Sequence, residues 1–368
     1  MKILHISGAR SWGGNEQQLV EMIPVLNKYN IVNYVFGVNF SPLSEYCNKH
    51  NINFIACKKN KLNTVINYKF LLRTVQEFKP DVIHLHTSDS VTLYVVSDLL
   101  YNLKTPTVFS KKGVGSKVSV LSKIKYNYKN IHKIICVSEI VKAHFKEVLS
   151  FKNHHKLCIV YDGVKKASLD IKAEINLFEK CELEENVKII GNIANHTQAK
   201  DLVTFVKTLH ILVNKKKVKN IHFIQIGSFS KKTKELKQLV EEYKLKDFIS
   251  FLGFTENASL LIPQFDVFLM TSVREGGPTS VLEAFSKKVS VVSTKVGVVI
   301  EAVNDGENGF LAAIGNANQL ADKVETLINN DELQKEFSEK SYQLYLQLFT
   351  IESLGINTLK IYKEVLGK

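Results

Sequence analysis

Short apolar runs alternate with amphipathic stretches along the first half of the chain. KILHI reads as a strand, SGARSWGGN as a turn-rich loop, and EQQLVEMIPVLNKY as a helix with apolar positions three and four apart. Further strands are predicted at IVNYVFGV, INFIAC, DVIHLH, TPTVFS, KIICVS and KLCIVY, with helices such as YKFLLRTVQEF and EIVKAHFKEVL between them. The second half restarts the pattern. VKIIGNIA, IHFIQIG, ISFLGF, DVFLMTS and VSVVST read as strands, and DLVTFVKTLHILV and TKELKQLVEEYKL as helices. Three helical segments, from ADKVETLINN onward, follow the last strand. Strands alternating with helices predict α/β architecture with parallel sheets covered on both faces.

The chain has 368 residues, more than one ordinary core accommodates, so two doubly wound, Rossmann-like domains are expected. The segment VKKASLDIKAEINLFEKCELEEN lacks a clean period and passes from basic to acidic, which places the linker there. The domains are expected at 1–168 and 169–349. Each doubly wound sheet offers a crevice at the carboxyl ends of its strands, and two facing crevices would form one cleft for two substrates.

Hydrophobic residues make up 45% and charged residues 23% of the sequence, a globular composition that argues against disorder. No apolar run approaches the ~18 residues of a membrane span. MKILHIS enters a strand pattern at once, so no secretory leader is expected. The five cysteines are scattered and never spaced CxxC, so neither a disulfide framework nor a zinc site is expected, and a reducing cytoplasm is. The charge is uneven. Residues 1–165 hold 23 basic and 10 acidic residues, whereas 166–368 hold 26 of each. Lys104, Lys111, Lys112, Lys117, Lys123, Lys125 and Lys129 follow one another without an acidic residue between them. Such a segment suits a polyanion or an anionic membrane surface, with a solvated lysine face as the plain alternative.

The densest chemistry lies in FDVFLMTSVREGGPTSVLEAF. A strand ends near Met270, and a loop carries Arg274, Glu275, Gly276 and Gly277. Pro278 and Thr279 then open a helix, where proline is tolerated. The glycines let the backbone approach a ligand, and the helix start offers free N–H groups to oxygens. Glu283 is expected two turns into the helix. Carboxylates at 275 and 283 can accept hydroxyl hydrogen bonds from two parts of one ligand. Gly13 and Gly14 precede a helix expected to be capped by Asn15, where the backbone again can approach a phosphate or an acceptor. Trp12, the only tryptophan, can stack on a sugar or pack. His84 and His86 share one face of a strand, as a metal pair or, in the preferred reading, as core residues.

EGGPTSVLEA resembles the E-x7-E motif of retaining GT-B glycosyltransferases, the large family that includes sucrose synthases and bacterial lipopolysaccharide, capsule and glycolipid enzymes. GARSWGGNEQQL, KPDVIHLHT, KIICVSEIVKAHF, VYDGV, GNIANHTQAKDLVTFVKTL and TKVGVVIEAVNDGENGFL resemble other segments of that family. The resemblance implies an acceptor-binding first domain, a donor-binding second domain, and a last helix, about 350–368, returning to the first. It implies that Glu275 contacts the donor sugar, Gly276 and Gly277 lie beside sugar and phosphate, Glu283 binds ribose, and Lys200 neutralises the diphosphate. Asn195, Arg274, Pro278, Thr279, Gly13 and Gly14 complete the implied donor set. Two departures stand out. GNIANHTQAK has no arginine before the lysine, so Arg274 or a first-domain lysine would have to substitute. Where relatives have a sugar-contacting histidine, this chain has Lys111-Lys112-Gly113, which makes Lys112, with His86 and Trp12, a candidate sugar or acceptor contact.

The resemblance further implies retaining transfer from a nucleotide sugar to a glycan or lipid-linked hydroxyl, without a bound metal or other cofactor. It suits a cytoplasmic enzyme peripheral on the inner face of the plasma membrane, and no nucleic-acid partner is expected. The alternatives are a nucleotide-sugar epimerase or hydrolase of the same fold, or a non-enzymatic polyanion-binding protein, for which the usual basic-aromatic modules are absent.

Overall fold

The computed structural model describes residues 1–113, 118–166, 173–277 and 279–368. The chain forms two compact units, Met1–Gly163 with Thr350–Lys368, and Val164–Phe349.

Unit 1 contains β1 (Lys2–Ser7), β2 (Val32–Gly37), β3 (Phe54–Ala56), β4 (Val82–Leu85), β5 (Thr107–Lys111), β6 (Lys133–Cys136) and β7 (Leu157–Ile159). They make one parallel sheet in the order β3-β2-β1-β4-β5-β6-β7. β1 and β4 are wholly or almost wholly buried because helices cover both faces, which is why they read as apolar runs rather than alternations. Alternate residues still part company. Leu4, Ile6, Ile83 and Leu85 enter one core, and Ile3, Val82 and Val108 the other. The second core is closed by the helices Gly14–Asn27 and Ile351–Val365, through Leu19, Ile23, Leu354 and Tyr362. Gly355 permits their contact, since a Cβ there would lie 2.5 Å from Val25 Cγ1.

Unit 2 contains β8 (Lys188–Ile193), β9 (Ile221–Ile226), β10 (Ile249–Gly253), β11 (Val267–Met270), β12 (Ser290–Thr294) and β13 (Phe310–Ala312). The order β10-β9-β8-β11-β12-β13 is again parallel. Part of the expected linker belongs to this unit. Asn176 caps a short helix, Leu177–Lys180, Leu177 is fully buried, and its N–H donates to Gln264 Oε1. The expected boundary at 168 and 169 lies outside the described residues.

In both units the chain steps outward from one central strand, then returns to that strand's other side. The switch points fall between β1 and β4 and between β8 and β11. There the two adjacent loops leave in opposite directions and open a crevice.

Candidate active site

At the unit 2 switch point, the loops after β8 and β11 are tied together by backbone groups. Val273 N–H donates to Ala199 O at 2.9 Å, and Thr271 Oγ1 donates to the carbonyls of Lys200 and Asp201 at 3.1 and 3.0 Å. Lys200 ends the short turn Gln198–Lys200, and Asp201 starts the next helix by accepting from Thr204 N–H. These ties bring Lys200 Nζ to 2.5 Å from Glu275 Oε1, and Ser272 Oγ donates to the same oxygen at 2.7 Å. The Glu275 side chain is 11% exposed and that of Lys200 28%, so the pair is shielded yet reachable. Both bonds fall on Oε1, which leaves Oε2 to accept from a ligand hydroxyl.

A third loop grips the same segment from the β12 side. Thr294 Oγ1 donates to Ser272 O, and Val298 N–H donates to Gly276 O. Gly297 has φ of +51°, and a Cβ there would lie 2.7 Å from Glu275 O. Any side chain at 297 would displace the Glu275 backbone as well as strain its own.

The remaining expected donor residues sit around this pair. Arg274 is exposed and forms no ion pair among the described residues. Asn195 Oδ1 accepts from Ser228 N–H, joining the loops after β8 and β9. Gly276 and Gly277 are part-buried, Thr279 opens the helix Thr279–Ser286, and Pro278 lies outside the described residues. Glu283 is only about one turn into that helix rather than two, because the helix starts at Thr279. His196, near Lys200 in sequence, is structural. Gln225 Nε2 donates to Ala194 O, so Gln225 Oε1 accepts from His196 Nε2–H, and Thr233 Oγ1 bonds His196 Nδ1.

Unit 1 treats its switch point differently. The helix begins at Gly14, with Gly13 as its cap and no side-chain cap bond, so Asn15 does not cap it. Instead Asn15 Nδ2 donates to His86 O and to Glu16 Oε1, and burial raises the pKa of the Glu16 carboxyl. Gly8 is the tight glycine of this loop, since a Cβ there would force the Asp89 carboxyl to shift; Gly14 has open space. Trp12 is 38% exposed and packs on Tyr46. Lys112 is paired with Asp162, a buried carboxylate in the VYDGV segment.

His84 and His86 are joined by His5, which the β1–β4 register sets opposite His84. Asn33 Nδ2 donates to Asn27 Oδ1 and Ile31 O, so Asn33 Oδ1 accepts from His5 Nε2–H at 3.0 Å. His5 Nδ1 therefore accepts from His86 Nε2–H, also at 3.0 Å. His84 bonds Tyr362 Oη through Nδ1 and Ser110 Oγ through Nε2. Burial holds all three imidazoles below the usual histidine range, His5 at about 4. One ring nitrogen from each lies within 4.8 Å of the others, and among the described residues no carboxylate joins the group. The hydrogen bonds account for the cluster as neutral core. His86, a candidate sugar contact, is 5% exposed with Nε2 already committed to His5.

Four residues of these sites escaped the sequence reading: His5, Asp162, Ser272 and Gly297. For His5 a signal existed, because KILHIS and VIHLHTS carry histidine at the same place in two apolar strands.

The family described as "Glycosyl transferases group 1" matches residues 173–344, and "Glycosyltransferase Family 4" matches residues 12–167. Together they span both units, including Lys200, Glu275 and Trp12. The chain belongs to the GT-B glycosyltransferases. Among relatives of this glycosyltransferase, the N-acetyl-alpha-D-glucosaminyl L-malate synthase of Bacillus anthracis is 22% identical over 292 residues, 78% of this chain and 75% of the relative. The N,N'-diacetylbacillosaminyl-diphospho-undecaprenol alpha-1,3-N-acetylgalactosaminyltransferase of Campylobacter jejuni is 24% identical over 251 residues, 66% of this chain and 63% of the relative. The Anabaena protein HepE, solved in complex with UDP, superposes with a TM-score of 0.86 at 18% identity, covering 99% of this chain and 100% of HepE. That likeness fixes the fold of the glycosyltransferase as GT-B.

Proposed function

We propose that this glycosyltransferase moves a sugar from a nucleotide sugar to a hydroxyl of a glycan or lipid-linked saccharide, with retention at the anomeric carbon. The convergence of Lys200 and Glu275 at the unit 2 switch point carries this reading. A diphosphate arriving there competes with Glu275 for the Lys200 ammonium, and Glu275 then turns to the hydroxyls of the donor sugar. Lys200, with exposed Arg274 in place of the missing arginine, stabilises the charge that develops as the diphosphate leaves. The Gly276 and Gly277 amides and the start of the helix at Thr279 lie beside sugar and phosphate, Glu283 takes the ribose, and Asn195 borders the site. No nucleophilic side chain is required if the acceptor attacks on the face the diphosphate leaves and the departing phosphate takes its proton. The positive charge comes from side chains, so the reading needs no resident metal.

Unit 1 presents the acceptor. Relatives act on acceptors as different as L-malate and a polyprenyl-linked sugar, and the surface of unit 1 favours the second kind. In the helix Val120–Tyr126, Val120, Leu121 and Ile124 are 74%, 77% and 63% exposed, next to exposed Lys123 and Lys129. Lys125 belongs to the fold instead, donating to Ser88 O and Thr92 Oγ1. Lys117 lies outside the described residues. Exposed apolar side chains among lysines suit the headgroup layer of an anionic membrane. No helix among the described residues is long and apolar enough to cross one.

Thermal stabilisation by UDP, GDP and ADP and their sugars tests the donor half of the reading. One nucleoside diphosphate should raise the melting temperature in a concentration-dependent way. No shift with any of them would remove the nucleotide-sugar assignment, and an inverted anomeric centre in the product would remove retention.

A further inference from the structure

The carboxyl end of the unit 1 sheet carries aromatic rings that donor chemistry does not use. Trp12 lies in the loop after β1, just before Gly13. Its indole packs on the Tyr46 ring with centroids 4.9 Å apart and planes at 34°, and Tyr46 stacks on His50 at 4.1 Å and 29°. Tyr46 belongs to the helix Pro42–Lys49, and His50 is its C-cap. That helix is held firmly: Ser41 and Ser44 form a capping box, and Leu43 and Cys47 are buried. The indole is therefore braced on a fixed element and still 38% exposed.

A separate observation marks the same end of the sheet. Phe40, just past β2, is 83% exposed and has φ of +52°. The left-handed region is costly for a bulky residue, and a ring left in water returns none of that cost through burial. Stability of unit 1 thus explains neither the conformation nor the exposure. β1 and β2 are neighbours, so these loops emerge side by side.

A braced aromatic plane in water suits one class of ligand well. A pyranose ring has an apolar face of C–H groups, slightly positive, which matches the negative face of an indole, while its hydroxyls remain at the edge for polar partners. A rigid ring also loses little entropy on binding. We propose that Trp12, supported by Tyr46 and His50, is a carbohydrate platform that stacks a pyranose ring of the acceptor. This rests on the reading of the acceptor as a saccharide.

Trp12 is the only tryptophan of the chain, so its emission reports this site alone. The full-length protein is titrated with the methyl glycosides of glucose, galactose, N-acetylglucosamine and N-acetylgalactosamine, and with UDP. At least one glycoside should change the emission saturably, and UDP alone should not. No saturable change with any glycoside overturns the platform. In a transfer assay Trp12→Ala should raise the acceptor KM on the order of 10-fold, with Trp12→Phe recovering much of the loss and the effect falling on acceptor rather than donor KM. An equal rise in both KM values, or none, overturns it. The two proposals fail separately. Nucleotide stabilisation without any glycoside effect on Trp12 sinks the platform alone, whereas a glycoside effect without nucleotide binding sinks the transferase chemistry and leaves the platform.

Discussion

The two units share one winding pattern and treat its switch point in opposite ways. In unit 2 the point is occupied by charge. Lys200 and Glu275 stand on loops, partly exposed, and lean on each other. In unit 1 the neighbouring strands turn neutral imidazoles inward, and Lys112 is spent on Asp162. The backbone makes a crevice in both places; in unit 2 loop residues line it with part-exposed charge, and in unit 1 strand residues fill the space beneath it with buried imidazoles. Charge that is half shielded by loops can be re-partnered by a ligand; groups sealed between strands cannot.

That contrast is broken most directly at Glu275. Glu275→Gln keeps the shape and removes the charge, and should lower kcat by roughly 100- to 1000-fold, as for loss of one transition-state contact. Affinity for the bare nucleoside diphosphate should change far less. If turnover stays and nucleotide affinity falls, Glu275 serves the nucleotide rather than the sugar.

Lys200→Ala should weaken nucleoside-diphosphate binding by roughly 10- to 150-fold, the worth of one charge-assisted hydrogen bond. Titration calorimetry measures it, and unchanged affinity would take Lys200 out of the site. The mutation also strands Glu275, so Lys200→Met with Glu275→Gln separates loss of a ligand contact from an uncompensated carboxylate.

Unit 1 is probed by acid. His5, His84 and His86 are held neutral by burial, with folded pKa values below the unfolded value near 6.5. The stability they confer is complete above about pH 6.5 and drains away as the pH falls toward the folded values, about 4 for His5. For His5 the loss across that window is on the order of 3 kcal/mol. Urea unfolding followed by Trp12 emission reports unit 1 selectively, and its midpoint should fall between pH 7 and pH 5. In His5→Gln that slope should shrink; an unchanged slope would mean that His5 does not titrate on unfolding.

The smallest effect concerns the basic surface. Lys123→Glu with Lys129→Glu should lower binding to vesicles containing anionic lipid by on the order of 1 kcal/mol per lysine, with no counterpart on neutral vesicles. High salt should mimic the change. Binding indifferent to lipid charge would leave these lysines as a solvated face, and would remove the main support for a membrane-borne acceptor.

The strands of both sheets, the helices between them and the turn ahead of the Thr279 helix were legible in the sequence, because doubly covered parallel strands must be apolar and clustered glycine and proline mark a turn. Asn15 misled as a cap, since helix onset depends on backbone geometry and the Asn15 amide found better partners in His86 and Glu16. The resemblance assigned Lys200 and Glu275, 75 residues apart, to one donor, but not their direct contact, and the contact of His5 with His86 across 81 residues was not legible at all.

The sequence by itself determined the fold class, the repeat of the strand-helix pattern and the residue types available at the candidate site, because period, apolar content and turn residues are local properties. Strand order, the neutral histidine cluster, the pairing of Lys112 with Asp162 and the grip of Gly297 on Glu275 were decided only by tertiary structure. Each depends on which strands become neighbours, and the chain settles that globally when it buries both faces of each sheet at once.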